Sequence, residues 1–439
     1  MMAMMKSIKT PLIIFPLAMM ALALSLSLQG QTPAKSFNQE DVWSVFTKKS
    51  NKSHRDSLNA IPVQLFKPYT SLTPFIGYNP AFGMLIGVSS TTGIYLGPPS
   101  TTPVSSACVA INLTSKAQKI FNLRSNVITN GSQFIFRGDW RYLIFSQPTY
   151  GLGSGLRKSG DDGIIFGEAG QTTSYNGLQQ PINYNYIRFY ETFFIRLNKK
   201  IYAGIGYFLD NYTDIVDLNL NLGTNPRQIT SHYRYSTEHG FNPAHQTISG
   251  LSLELLLDSR DNSIRPTKGY LANFAIRQNL TFLGSTKSSL MLNTEFRTYV
   301  NLSKRRPDHL VAFWYIGQFT QSGRAPYLGL PAIGWDMYNR TGRGFIQGSI
   351  RGVSLVYGET EYRFPISRYT GILGGVLFVN ASTASSDDQS RKLFQYFDPA
   401  AGLGLRVMFS RKTKSNLTVD YAIGAGGSNG IYFNLNETF

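Results

Sequence analysis

Nucleophilic or acid–base chemistry needs a base held beside a reacting group, and this sequence supplies few: five histidines, His54, His232, His239, His245 and His309. None sits beside a serine on a recognisable lipid-facing motif, so the chain reads as non-enzymatic, with no catalytic residue and no cofactor. His232, His239 and His245 share one connection and could meet on a metal, but their spacing matches no tight ligand pattern and no metal is expected. The single cysteine, Cys108, excludes an internal disulfide framework. The informative chemistry is electrostatic. In SIRGVSLVYGETEYRFPIS, from Ser349 to Ser367, Glu359, Glu361 and Arg363 fall on one parity, while Val356, Thr360, Tyr362 and Phe364 fall on the other. A soluble sheet would turn those charges to water and bury the other face. A membrane barrel turns the arrangement inside out.

Stepping from charges to the elements that carry them, the same division recurs. In QFIFRGDWRYLI, Phe134, Phe136, Trp140, Tyr142 and Ile144 alternate with Gln133, Arg137, Asp139 and Arg141. In SLMLNTEFRTYV, Leu290, Leu292, Phe296 and Val300 alternate with Asn293, Glu295 and Arg297. Leu251, Leu253, Leu255 and Leu257 face away from Ser252, Glu254 and Asp258, and Leu403, Leu405, Val407 and Phe409 away from Arg406. Each stretch has about the 9 to 11 residues that a tilted strand needs to cross a bilayer. Short connections near 198–200, 303–308, 365–371 and 410–416 alternate with longer ones near 147–184, 212–246, 321–353 and 381–399. Bacterial barrels have that asymmetry and β-sandwiches do not need it. The stretch from Thr73 to Thr129 holds two or four further strands. The expected fold is all-β: a transmembrane antiparallel β-barrel of sixteen strands over residues 67–439, with fourteen as the alternative.

Composition agrees. Only 15% of residues are charged and 13% are aromatic, against about 25% charged in typical soluble domains. After Leu28 no apolar run reaches the roughly 18 residues of a spanning helix, so a crossing must be made by strands closed into a barrel. Residues 1–30 read as an export signal: Lys6 and Lys9 precede an apolar stretch from Pro11 to Leu28, with cleavage expected near Gly30 and Gln31. An uncleaved anchor is the alternative. Residues 31–66 are polar and read as a periplasmic linker or short helix. The net charge of +17 lacks the basic helix or aromatic–basic module of a nucleic-acid binder. Anionic headgroups of outer-membrane lipid are the simpler partner.

Two motifs carry more. LLLDSRDNSIRPTKGY, from Leu255 to Tyr270, sets Asp258, Arg260, Asp261, Pro266 and Gly269 between two alternating stretches, as a tight strand-to-strand turn requires. Its spacing resembles a motif of the BamA/TamA-type outer-membrane proteins, the bacterial surface antigen family. LPAIGWDMYNRTGRGFIQGSIRG supplies the second match. In that family a loop with an Arg-Gly-aromatic tip folds back into the barrel lumen, and Gly342, Arg343, Gly344 and Phe345 stand at that position; Glu361 to Pro365 resembles the strand that follows. The resemblance implies a lumen-inserted loop braced by Arg343, whose rigid fork of donors can bridge carboxylates. Glu359, Glu361 and Asp420, on inward parities by count, are its candidate partners, unless they merely line a hydrated lumen. Where the family commonly has an aspartate two residues past an aromatic, this chain has Phe378 and Asn380, an uncharged partner. TPFIGYNPAFGMLIG and QPTYGLGSG extend the likeness over nearly all of the mature chain. The closing SNGIYFNLNETF, with Gly430, Phe433, Leu435 and Phe439, resembles the signal by which barrel-assembly machinery receives its clients. It reads as a last strand with Ile431, Phe433 and Leu435 toward lipid and Tyr432 and Asn434 inward.

The resemblance implies an integral protein of the bacterial outer membrane that inserts or translocates polypeptide, or lipid, through a weak seam between its first and last strands. The periplasmic POTRA modules that insertases of this family carry find no room before the barrel, so a client would have to arrive on a separate periplasmic or outer-membrane partner. The alternative is a passive pore, or a structural barrel subunit of a larger complex recruited through the basic turns Lys199–Lys200 and Lys304–Arg306.

Overall fold

Alternation of apolar and polar side chains has a period of two, which only an extended chain can place on opposite faces. In the computed structural model, which describes residues 64–79, 83–155, 179–223, 228–337, 339–367, 370–410, 415–435 and 437–439, this alternation builds sixteen strands. The expected export signal at 1–30 and the linker up to residue 63 lie outside the described residues. The strands are β1 (Tyr69–Asn79), β2 (Gly83–Ile94), β3 (Ser105–Thr114), β4 (Lys119–Ile128), β5 (Phe134–Thr149), β6 (Gln180–Asn198), β7 (Ile201–Asp217) and β8 (Gln246–Asp258). They continue as β9 (Gly269–Asn279), β10 (Ser289–Asn301), β11 (Leu310–Gly323), β12 (Ser354–Pro365), β13 (Leu373–Ala384), β14 (Asp398–Ser410), β15 (Ser415–Gly424) and β16 (Asn429–Leu435).

All sixteen lie in one sheet in chain order, each antiparallel to the next. β1 and β16 approach to within 8 Å between Cα atoms, so the sheet curls round until its two ends meet. No ladder joins those ends among the described residues. The region before Ser132 supplies four strands, β1–β4, which settles the count at sixteen.

Outward positions are apolar and exposed. Ile205, Leu253 and Ile276 sit opposite one another across β7, β8 and β9, and are 61%, 68% and 42% exposed. Phe136, Trp140, Tyr142, Leu377, Leu403, Leu405, Ile431 and Phe433 continue this belt. A slip of one residue in any ladder would turn such a row inward, so the register is set by which face meets lipid. Strand heights are uneven: β6 has 19 residues and β7 has 17, whereas β16 has 7.

Much of the inward face is covered by the connections that fold into the barrel. The β11–β12 connection, residues 324–353, folds into the barrel, and its Ile333, Phe345 and Ile350 pack with Trp314, Leu355, Tyr357 and Phe439. A second apolar cluster joins Tyr184, Tyr186, Tyr212, Tyr235, Tyr327 and Leu328, with Trp335 packed against it. The β7–β8 connection carries a helix, α1 (Ser231–Glu238), capped by Thr230, whose hydroxyl accepts from the Tyr233 N–H at 3.3 Å. α1 ties onto the β11–β12 connection where Tyr235 donates to the Ala325 carbonyl at 2.9 Å.

The β8–β9 connection is not the tight turn expected from its Pro and Gly. It runs over residues 259–268 and folds on its own side chains. Asp261 accepts from the Thr267 N–H at 2.9 Å and the Thr267 hydroxyl at 2.6 Å, so one carboxylate satisfies a backbone that a two-residue turn would have paired with itself. Asp258 takes Arg260 in a bidentate pair at 2.9 and 2.7 Å. Pro266 is buried. Gly269 starts β9 at φ +95°, where an added Cβ would lie 2.3 Å from the Ser259 carbonyl oxygen. Only glycine fits there.

Candidate functional site in the barrel lumen

The lumen site is built by a loop that first makes itself rigid. The Asp336 carboxylate accepts from the Arg340 N–H at 3.0 Å, the Thr341 N–H at 2.9 Å and the Thr341 hydroxyl at 2.7 Å. Ile333 and Ile350 pair through their backbones at 3.0 Å. Arg351, 1% exposed, donates one nitrogen to the carbonyls of Tyr327, Leu328 and Leu330 at 2.9, 2.8 and 3.3 Å. Thus braced, the loop presents Gly342, Arg343, Gly344 and Phe345 to the wall formed by the last strands.

Arg343 is 3% exposed and meets three carboxylates. It pairs with Glu359 at 2.5 Å, with Asp420 at 2.9 Å, and with Glu361. Its guanidinium lies 3.5 Å from the centre of the Phe378 ring. Burial alone would disfavour its charge, but Glu359, Glu361 and Asp420 outweigh that and hold its pKa well above the ordinary arginine value. Asn380, which stands opposite Glu359 across the β12–β13 ladder, donates to the Arg343 carbonyl at 2.9 Å. The uncharged residue therefore holds the loop backbone, and Glu359 of the neighbouring strand holds the cation. Gly344 has φ +101°, and a Cβ on it would fall 2.7 Å from that of Ala400, which is how the tip lies flat on the wall. Its N–H donates to the Tyr432 hydroxyl at 2.9 Å, and that hydroxyl donates on to the Phe345 carbonyl at 3.2 Å. Through Tyr432 the tip grips β16, the strand at the unpaired seam.

Opposite this cluster lies another that the sequence reading left unassembled. Asp139 pairs with Arg141 at 2.6 Å and with Arg188 at 3.2 Å. Asp210 pairs with Arg188 at 3.3 Å and Arg277 at 3.2 Å, and accepts from the Tyr186 and Tyr190 hydroxyls at 2.5 Å each. Arg141 then donates to the carbonyls of Asp336 and Met337 at 2.9 and 3.0 Å, and Arg188 to that of Trp335 at 3.3 Å. The loop is clamped from two sides. The available signal was the inward parity of Asp139 and Arg141; what it lacked was the register that sets Arg188 directly across from Asp210.

The end of the chain keeps the expected parity and then leaves the wall. Ile431 and Phe433 face outward and Tyr432 inward, and Gly430 leaves room beside the Tyr432 ring, where a Cβ would sit 2.9 Å from the hydroxyl. β16 nevertheless stops at Leu435. Continued alternation would send Glu437 into lipid at high cost. Instead Glu437, Thr438 and Phe439 turn into the lumen, at 6%, 3% and 3% exposure. Burial would raise the Glu437 pKa, but Arg363, Arg406 and Arg265 together hold it at about 2.

The histidines do not converge. His232 is buried, its Nδ1 2.8 Å from Asp217; His239 meets Asp388 of the β13–β14 connection at 2.8 Å; His245 lies 3.2 Å from the Thr247 hydroxyl.

Residues 179–439 match the model of the Omp85 superfamily domain. No curated protein sequence matches the chain. Among solved structures, BamA from Haemophilus ducreyi lacking POTRA domains 1–3 is similar, with a TM-score of 0.51 at 16% identity, over 84% of this chain and 70% of that one. CdiB from Acinetobacter baumannii aligns with a TM-score of 0.48 at 12% identity over 84% of this chain and 59% of its own. CdiB from Escherichia coli gives 0.49 at 8% identity, over 85% and 68%. The chain thus spans less than two thirds of the Acinetobacter protein. The first likeness shows the fold, and the family match extends from just before β6 to the last residue; the chain therefore belongs to the Omp85 superfamily, outer-membrane β-barrels of the insertase and translocase type.

Proposed function

We propose that this barrel assists the insertion or translocation of polypeptide, or of lipid, at the seam between β1 and β16. The observation that carries this reading is that the two strands meet without a ladder among the described residues. Unpaired N–H and C=O groups on a strand edge are a template for another extended chain. The lumen loop is the second part of the reading. Arg343 joins it to β12 and β15, and Tyr432 joins it to β16, so the tip braces the strands on one side of the seam. A lumen filled by this loop supports the seam, in preference to the lumen, as the working path, and speaks against the passive-pore alternative.

The test is a seam lock. In a Cys108→Ser background, one cysteine is placed in β1 and one in β16, at facing positions whose Cα atoms lie within 8 Å, and the protein is reconstituted into liposomes. Folding of an unfolded eight-stranded outer-membrane barrel is followed by heat-modifiable gel migration. Wild-type protein is expected to speed folding, oxidation of the cysteine pair to abolish the gain, and reduction to restore it. Equal folding rates with the seam locked and released would refute the proposal.

A further inference from the structure

Strand β16 has an unusual attachment. On one side it pairs with β15 through Leu417–Ile423; on the other it faces β1, with no ladder between them among the described residues. Its continuation, Glu437 to Phe439, is anchored inside the barrel to elements far from it in sequence. The Glu437 carboxylate accepts from Arg406 at 2.8 Å and from the Asn416 amide at 2.5 Å, and lies 3.9 Å from both Arg363 and Arg265. Those four residues come from β14, β15, β12 and the β8–β9 connection. The Glu437 carbonyl accepts from Arg340 of the lumen loop. A main-chain oxygen of Phe439 accepts from Arg363 at 2.9 Å. The Phe439 ring rests against Trp314 and Tyr299, with centroids 5.1 and 6.3 Å away, under the Arg363 guanidinium at 5.3 Å.

Two of the receptacle's arginines have carboxylate partners besides the tail. Arg363 pairs with Glu361 at 2.6 Å, and Arg406 with Asp420 at 2.5 Å. An acidic side chain followed two residues later by an aromatic ring can therefore leave and return without collapsing the walls that receive it. Its departure would remove one tie of the lumen loop, the Arg340 contact, and would leave β16 held by its β15 ladder and by Tyr432.

From this arrangement we infer that Glu437–Phe439 is a displaceable latch: docked in the arginine and aromatic receptacle it adds a tie between the lumen loop and the β16 edge, and undocked it loosens both. The inference stands on the contacts themselves, and its test reads the lumen and loop directly, so it can fail while the transport proposal survives, and the reverse.

The test uses the full chain, refolded in detergent and inserted into planar bilayers, with heat-modifiable migration as the control for barrel formation. Two variants are compared with the parent: Glu437→Gln, and a chain lacking Glu437–Phe439. Losing hydrogen bonds to a charged group should raise the fraction of time in conducting states by about tenfold or more in Glu437→Gln. Trypsin should then cut the lumen loop at Arg340 or Arg343 in both variants and spare the parent. Millimolar acetyl-Asn-Glu-Thr-Phe should close the truncated barrel again, and acetyl-Asn-Gln-Thr-Phe should not. If truncation prevents assembly, the Glu437→Gln result decides alone. Folded Glu437→Gln barrels as closed and as trypsin-resistant as the parent would overturn the latch, as would two peptides of equal effect.

Discussion

Replacing Arg343 by alanine strips the cation from three carboxylates, but not equally. Glu361 retains Arg363 at 2.6 Å, and Asp420 retains Arg406 at 2.5 Å. Glu359 retains only the Tyr357 hydroxyl at 2.5 Å and the Asn380 amide at 3.4 Å. Breaking a buried ion pair by removing one partner costs about 3–5 kcal/mol, because a charge is left without compensation. Here nearly all of that cost should fall on Glu359. Arg343→Ala is therefore expected to lower stability by about 3–5 kcal/mol, and adding Glu359→Gln should recover about half of it, since a neutral amide can still bond Tyr357 and Asn380. Glu361→Gln in the same background should recover nothing and should cost more, because it removes the 2.6 Å partner of Arg363 and leaves Glu437 at 3.9 Å as its carboxylate. Urea unfolding of the refolded barrel in lipid vesicles, followed by tryptophan fluorescence, reads all four proteins on one scale. Trp314, which lies 5.1 Å from Phe439 and 5.6 Å from Tyr357, places one reporter beside the site. The reasoning is refuted if Glu361→Gln rescues Arg343→Ala as well as Glu359→Gln does, or if Arg343→Ala unfolds at the wild-type midpoint.

Further tests follow from other parts of the barrel. Gly269→Ala sets a Cβ 2.3 Å from the Ser259 carbonyl at φ +95°; refolding yield should drop, with a stability loss of about 2 kcal/mol or more in urea. Asp210→Asn leaves Arg188 with Asp139 alone and Arg277 without its carboxylate, and should cost about 3 kcal/mol by the same assay. Acid should loosen the tail in a defined window. Glu437 sits at about 2 in the folded barrel against about 4.3 when unfolded, so its stabilisation, about 3 kcal/mol, is complete above the unfolded value and is lost as pH falls toward 2. The difference in urea midpoint between wild type and Glu437→Gln should accordingly be constant at neutral pH and shrink below about pH 4.

The barrel was legible because a period of two leaves no freedom: once Leu251, Leu253 and Leu255 face lipid, Ser252 and Glu254 must face inward. The same parity put Glu359, Glu361 and Asp420 on the inner wall, though it could not say what they touch. Register was the missing quantity. Arg188 opposite Asp210, and Glu359 opposite Asn380, are set by how each hairpin is closed, and the alternation is unchanged by sliding a strand two residues. The Asp258–Gly269 segment looked like a turn because Pro and Gly have strong local preferences, but the Asp261 side chain, which substitutes for backbone pairing, let the connection lengthen. The parity of the last strand was legible, but alternation alone does not say that the strand ends at Leu435 or where Phe439 then goes. The cost that stops it, a glutamate in hydrocarbon, becomes visible only when membrane and strand are considered together.

The unequal strand heights have a consequence for the lipid around the barrel. Seven residues at about 3.3 Å each give β16 a length of about 23 Å, and less along the membrane normal once tilted, against a hydrocarbon core of about 30 Å. On the β6 and β7 side, 19 and 17 residues more than cover that core. A bilayer adjoining both sides must therefore slope, with acyl chains drawn in where β16 meets β1 and relaxed where β6 and β7 stand. Hydrophobic mismatch is thus concentrated at the join of the wall, and headgroups from the two leaflets come nearest to each other there.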